Sequence, residues 1–210
     1  MNRVDPWGDL HAVAGRGLLT GNRGCLVDDE GRIVRHHRGA SWIICRTRFR
    51  DWRHPLDAPR TWTPLFFLDD AVALAAGHRP CALCRRHDHQ RYRAALTAAL
   101  GDEAPDSARA LDRRLSGERL ARGRGLRRGG DRLLWSAALG QLPPGTVFVE
   151  RGDRAPWLVT SRGVHRFTLG GWGPAIATTG RRVEVVTPPV SVAALAHGFI
   201  PLVHPTAAGA

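Results

Sequence analysis

The sequence predicts an α+β fold, a small α/β module packed on a C-terminal antiparallel sheet, and three observations carry that reading. The first is the run Phe66 to Arg86, FFLDDAVALAAGHRPCALCRR, which reads as strand, short helix, sharp stop and a second helix. The second is the helical spacing of apolar residues on either side of residue 101: Tyr92, Leu96 and Ala99, then Ala108, Leu111, Leu115 and Leu120. The third is a change of character at Leu133, after which short apolar stretches alternate with Gly- and Pro-bearing turns. The expected organisation is a first module over 1–101 with an N-terminal arm, a helical, basic connector over 102–132, and a small β-rich domain over 133–210.

Residues 1–20 read as the arm, anchored by Trp7 and the Leu18-Leu19 pair, and GNRG (21–24) is turn chemistry. Cys25-Leu26-Val27 and Ile33-Val34 flank DDEG, the pattern of a β-hairpin. Trp42 to Cys45 is a short, strongly apolar run and predicts a buried strand, so Cys25 and Cys45 are expected on or beside neighbouring strands. The connection RTRFRDWRHPLDAPRTWTP (46–64) interleaves arginine with Phe49, Trp52 and Trp62. Such a mixture can stack on bases and pair with phosphates, or it can pin a loop to the core.

Leu65 to Leu68 predicts the next strand, and Asp69 and Asp70 suit a helix start. Gly77 fits the position just past a helix, where a left-handed backbone is unstrained for glycine. Pro80 then forbids the helix from resuming. A helix is expected from Cys84 to about Leu100, with His87 and His89, two apart, on different faces. Residues 107–121 resume a helical pattern interrupted by Gly117, and RGRGLRRGG (122–130) reads as a flexible basic loop.

LLWSAAL (133–139) reads as one more short helix. LPPGTVFVE, APWLVTSRGVHRFTL and RRVEVVTPP read as strands, with a hairpin turn at Ser161-Arg162-Gly163 and Trp157, Phe167 and Trp172 as packing anchors. An internal echo closes the chain. In Thr187 to Pro201, Leu195, Gly198 and Pro201 fall where Leu74, Gly77 and Pro80 fall in the first copy, and Leu202 stands in place of Cys81.

The chain has 210 residues, and no stretch approaches the roughly 18 apolar residues of a membrane span. With no apolar run of signal-peptide type at its start, a cytoplasmic protein without a membrane partner is expected. The net charge is +12, and all 31 basic residues are arginine. Codon bias can account for arginine in place of lysine, but less readily for the excess of positive charge. A polyanionic partner, most simply nucleic acid and DNA in particular, is therefore expected.

In a cytosolic chain Cys25, Cys45, Cys81 and Cys84 favour metal ligation or thiol chemistry over disulfides. Two thiolates spaced as in Cys81-x-x-Cys84 can grip one ion from a turn, and four ligands complete one tetrahedral Zn²⁺ per chain.

ALAAGHRPCALC resembles the zinc module of the bacterial adaptive-response protein Ada and its relatives. There a strand leads to a helix ending in AAG-aromatic-RPC-x-x-C. Phe66-Phe67, Ala73 to Gly77, Arg79-Pro80, Cys81 and Cys84 match, with His78 in the aromatic position. The likeness covers about residues 40–90, and the whole chain also looks like actinobacterial proteins that share this motif. The resemblance implies a zinc site of four cysteines in a small α/β module that touches the DNA backbone. In that family one zinc-bound thiolate also accepts a methyl group. The family's first ligand pair is Cys-x-x-x-Cys, however, and here that spacing from Cys45 lands on Phe49. Cys25 would have to supply the missing ligand, and methyl acceptance carries over poorly, because the acceptor's local setting is not reproduced.

The leading expectation is thus a nucleic-acid-binding protein with a structural site at Cys25, Cys45, Cys81 and Cys84. A closed shell of four thiolates has no place for a catalytic water. Arg46, Arg48, Arg50, Arg53, Arg79 and Arg85 flank the site and are the expected phosphate contacts. The first alternative is a metal-dependent nuclease drawing on His36, His37, Asp51, His54, Asp57, His87 and His89, none of which shows a hydrolase spacing. The second is a thiol redox or metal sensor at Cys81-x-x-Cys84, for which the βαβ context of thioredoxins is missing. His165, His197 and His204 assign no function to the C-terminal half.

Overall fold

The computed structural model describes residues 1–50, 62–178 and 180–208. Its first half carries a mixed sheet of β1 (Asn2–Val4), β2 (Leu10–Ala12), β3 (Leu19–Asn22), β4 (Ile43–Arg46), β5 (Leu65–Phe67) and β6 (Arg79–Pro80). The strand order is β2-β1-β5-β3-β4-β6. β1 runs parallel to β5 and β4 parallel to β6, and the remaining pairs are antiparallel. Residues 1–20 are therefore not an arm: they supply two strands and the start of a third, and they bury Val4 and Trp7. Strands of three residues are too short for an alternation to register in the sequence.

Three helices come next: α1 (Asp70–Ala75), α2 (Arg86–Leu100) and α3 (Ala108–Arg119). The second sheet is antiparallel throughout. It comprises β7 (Trp135–Ala138), β8 (Val147–Val149), β9 (Trp157–Thr160), β10 (Gly163–Thr168), β11 (Gly171–Ile176) and β12 (Arg182–Val185), in the order β11-β10-β9-β8-β12-β7. α4 (Pro189–Ala196) and α5 (Pro205–Ala208) complete the chain, and the fold is α+β. LLWSAAL contributes the edge strand β7 rather than a helix. Trp135 and Ala137 pack inward while Ser136 faces out, so a two-residue period overrides the helix propensity of Leu and Ala. The hairpin expected at Asp28 to Gly31 is reduced to the Asp28 turn and one bridge, Val27 to Ile33. Among the described residues, no helix is long and apolar enough to cross a membrane.

One apolar cluster joins the two halves. It includes Val4 and Phe67 of the first sheet, Tyr92 and Leu96 of α2, Leu111 and Leu115 of α3, Val147 and Leu158 of the second sheet, and Leu195 of α4. α1 lies inside it, with all of its residues buried, and packs against β5 and β8. Its sequence, DAVALA, is apolar all round after the first residue, as a helix without a solvent face must be. Burying Val72 and Leu74 stabilises the fold by about 1.5–3 kcal/mol each.

Asp69 caps this helix by accepting the Val72 N–H at 2.9 Å. The same carboxylate accepts Trp172 Nε1–H at 2.6 Å and the His204 N–H at 2.9 Å, tying β11 and the C-terminal segment to the helix start. At the other end Gly77 has φ +85°, and the His78 N–H reaches back to Ala73 O at 3.0 Å. Distant guanidiniums meet the last carbonyls: Arg119 donates to Gly77 O at 3.1 Å and Arg132 to Ala76 O at 3.3 Å and to Ala75 O. Cations at a helix C-terminus also complement its dipole.

Candidate metal centre

β4 and the helix stop together build the cysteine cluster. Cys45 lies on β4 opposite Thr20 of β3. β6 runs alongside β4, and the Cys81 N–H extends that ladder by donating to Ile44 O at 2.9 Å. The chain then turns: the Arg85 N–H bonds Cys81 O at 3.1 Å, which brings Cys84 back beside Cys81 before α2 begins. The sulfurs of Cys45, Cys81 and Cys84 all lie within 4.8 Å of one another. Zinc bonds of about 2.3 Å hold tetrahedral sulfurs roughly 3.8 Å apart, so this group fits one ion.

Backbone N–H donors reach two of the sulfurs, although side-chain bonds within the cluster and burial leave Cys84 raised. The Leu83 N–H points at Cys81 Sγ at 3.4 Å, and the Arg46 N–H bonds the Cys84 sulfur. Hydrogen bonds from Cys45, then from Cys84, hold the Cys81 thiol down at about 2. Cys45 is pushed far up, first by its bonds to Cys81 and Cys84 and then by burial.

Cys25 lies outside this group. The chain leaves β3 after Asn22 through Gly24, at φ +89°, and the Cys25 thiol sits 3.6 Å from Val27 O. The expected four-cysteine set is thereby reduced to three. Among the described residues, Cys45, Cys81 and Cys84 are the one group of three or more His, Cys, Asp or Glu able to share a metal.

The three cysteines line a cleft of ≈ 510 Å³ together with Arg16, Arg46, Arg48, Phe49, Trp62 and Phe66. Arg46, Arg48 and Arg50 are exposed, as expected of phosphate contacts. Arg79 and Arg85 are buried and committed elsewhere. Arg79 forms a two-pronged pair with Asp112 at 2.8 and 2.9 Å. Arg85 pairs with Asp70 at 2.8 Å and with Asp88 at 2.9 Å. Both guanidiniums join elements of the core, which corrects their assignment to phosphates. Arg53, Trp52, Asp51, His54 and Asp57 lie outside the described residues.

Arg16 was not singled out by the sequence, because residues 1–20 read as an arm. It reaches the cleft wall from the loop before β3, with its guanidinium 5.9 Å from the centre of the Phe66 ring. Among the described nuclease candidates, His36, His37, His87 and His89, no three share a site. His36 and His37 hydrogen-bond each other at 3.0 Å, His89 is buried with Nδ1 3.1 Å from Pro80 O, and His87 is at the surface. Comparison with protein-family models, with curated proteins and with solved structures finds no match.

Proposed function

We propose that the protein is a zinc-thiolate protein that binds nucleic acid, DNA in the first instance, at the cleft carrying Cys45, Cys81 and Cys84. The observation that supports this reading is the juxtaposition of three close sulfurs with exposed arginines and aromatic rings in one cleft. The likeness of residues 40–90 to Ada-type zinc modules belongs to the same reading.

Zinc would be held by Cys45, Cys81 and Cys84, and would keep the sulfurs deprotonated and fix the turn between β6 and α2. The chain's own residues do the rest. Arg46 and Arg48 present forked donors that suit phosphate oxygens. Phe49 and Trp62, half-buried in the cleft wall, offer aromatic surface on which an unstacked base can rest. Among the described residues, no carboxylate or histidine lines the cleft. That favours binding over cleavage.

Metal analysis of protein purified without added zinc tests the centre. One zinc per chain is expected in the wild type and in Cys25→Ser, with loss in Cys45→Ser, Cys81→Ser and Cys84→Ser. A single-stranded oligonucleotide titrated at several salt concentrations tests the cleft. Arg46→Ala and Arg48→Ala should each lower the salt slope by roughly 0.7–0.9 without a change in sequence preference. Metal-free protein with four freely reactive thiols, or binding indifferent to salt, would overturn the proposal.

A further inference from the structure

A second cleft, of ≈ 580 Å³, lies along the end of α3 and shares no lining residue with the cysteine cleft. Its lining includes Arg113, Arg119, Arg122, Arg128 and His37, and contains no carboxylate. The acids of α3 are engaged elsewhere. Asp112 holds Arg79, and Glu118 accepts from Arg114 at 3.0 Å and from the Val190 N–H at 2.8 Å. One carboxylate, Asp131, pairs with Arg128 from outside the lining.

The remaining charge is not neutralised. Arg113 and Arg122 are exposed and, among the described residues, make no ion pair or hydrogen bond. Arg119, buried at the back, donates to the carbonyls of Gly77 and Ala40 and lies 3.7 Å from the centre of the Trp42 ring. Carbonyls and a ring satisfy its donors, and among the described residues no carboxylate pairs with it directly.

Gly117 supplies an independent observation. A glycine inside a helix weakens it relative to alanine. A Cβ built here meets nothing within 4 Å, so no neighbouring atom requires the glycine. What it does is keep side-chain atoms off a wall of the cleft. Gly123, by contrast, is required sterically: a Cβ there would come within 2.7 Å of Asp131 Oδ2 and 2.9 Å of Arg128 Nη2. It lets the Arg128–Asp131 pair lie against the backbone.

We propose that this cleft binds a ligand bearing two or more phosphoryl groups, held by Arg113 and Arg122 at the mouth and facing Arg119 and Arg128 within. Guanidinium forks suit phosphoryl oxygens. The lining offers no Phe, Tyr or Trp for stacking, so recognition is of charge rather than of a base. The site stands whether or not the cysteine cleft binds nucleic acid.

Calorimetric titration of the full chain with inorganic tripolyphosphate, at fixed ionic strength, tests it. One-to-one binding is expected, weakened about tenfold or more by Gly117→Leu, which fills the cleft without changing charge, and by the double variant Arg113→Ser/Arg122→Ser. Thermal unfolding of Gly117→Leu should occur at the same or a higher temperature than wild type, because leucine is the better helix former. Arg86→Ser, which removes an exposed arginine outside both clefts, should bind as wild type does, which separates this site from overall positive charge. Displacement of tripolyphosphate by a single-stranded oligonucleotide assigns the phosphoryl groups to a nucleic-acid backbone; lack of displacement assigns them to a free polyphosphate. Equal affinity in wild type and Gly117→Leu, or no binding by wild type, overturns the proposal.

Discussion

The two helix stops, at Gly77 and at Gly198, use one device in two settings. Each glycine is left-handed, at φ +85° and +97°, and in each the next N–H reaches back five residues, His78 to Ala73 and Phe199 to Ala194. The surroundings differ. α1 is capped by its own Asp69 at its start and by arginines at its end, while α4 begins on Pro188 and Pro189, which offer no cap of their own, and Glu118 of α3 accepts the Val190 N–H. The chain leaving the second stop lands on the start of the first helix: the Leu202 N–H donates to Asp70 Oδ2 at 2.9 Å, and the Asp70 N–H to Leu202 O at 2.9 Å. The difference teaches that a local stop signal sets only where a helix ends. The segment beyond each stop, cysteines in one case and a stretch docked on Asp70 in the other, takes its role from the partners it meets.

The sharpest way to break the comparison is Asp70→Ala. Asp70 binds buried Arg85 and receives Leu202, so its loss leaves Arg85 with Asp88 alone and frees the segment beyond the second stop from the start of α1. Removing one partner of a buried pair costs about 3–5 kcal/mol. Ser191, at the same place in α4, hydrogen-bonds Tyr92 at 2.9 Å, and Ser191→Ala should cost about 1–3 kcal/mol. Urea unfolding of both variants measures the gap; equal costs would remove the distinction.

A smaller effect separates the residues after the two glycines, His78 and Phe199, both buried. His78 accepts from Arg23 Nε at 3.2 Å, and burial, then Arg23 and Arg119, keep it well below the ordinary histidine range. His36 and His37 are likewise lowered, chiefly by burial, to about 2 and about 4. An imidazole lowered in the folded state takes up its proton on unfolding. Its stabilising contribution is complete above roughly pH 6.5 and is lost as the pH falls toward the folded value. Asp69 has the opposite sign: burial raises it to about 6, so its contribution is complete below roughly pH 4 and is lost as the pH rises to about 6. His89 and His204 are lowered as well, and Asp5 is raised like Asp69, so five histidines stand against two carboxyls and the protein should lose stability on acidification. His78→Phe, which copies the second stop, should shrink the stability difference between pH 7 and pH 5 by about 2 kcal/mol. An unchanged difference would mean that His78 is protonated in the fold.

Much of this comparison was legible in the sequence. The stop at Gly77, the helix start at Asp69, strands β4 and β5, and the antiparallel second half all stem from glycine, aspartate and apolar spacing, which act over a few residues. Cys81 and Cys84 were legible for the same reason. Cys45 needed the strand reading at 42–45 and then the β4–β6 pairing. The strands at 1–20 were not legible, because their partners are distant: β1 pairs with β5, some sixty residues on, at Arg3 and Phe66. The burial of Arg79 and Arg85 was equally hidden. An arginine reads as surface until the fold places a carboxylate beside it, and Asp112 and Asp70 are assigned to these two only by helix packing.

The smallest effect sharpens the comparison at the glycines themselves. Alanine at either position must adopt a left-handed backbone, at a cost of about 1 kcal/mol. At Gly198 that is the whole cost, since a Cβ there meets nothing within 4 Å. At Gly77 the Cβ would come within 2.7 Å of Arg119 Cδ and 2.9 Å of its Cβ. The Arg119 stem must shift, and with it the guanidinium that bonds Gly77 O and Ala40 O and lies over Trp42. One charge-assisted bond lost adds roughly 1.5 kcal/mol or more. Gly77→Ala should therefore destabilise by about 1–2 kcal/mol more than Gly198→Ala, read as the difference in urea midpoints at equal slope. The Cβ of Arg119 belongs to α3 itself, so rotation of the side chain cannot relieve the whole clash. If the two alanine variants unfold together, α3 has room to move, and the guanidinium cap on α1 contributes little.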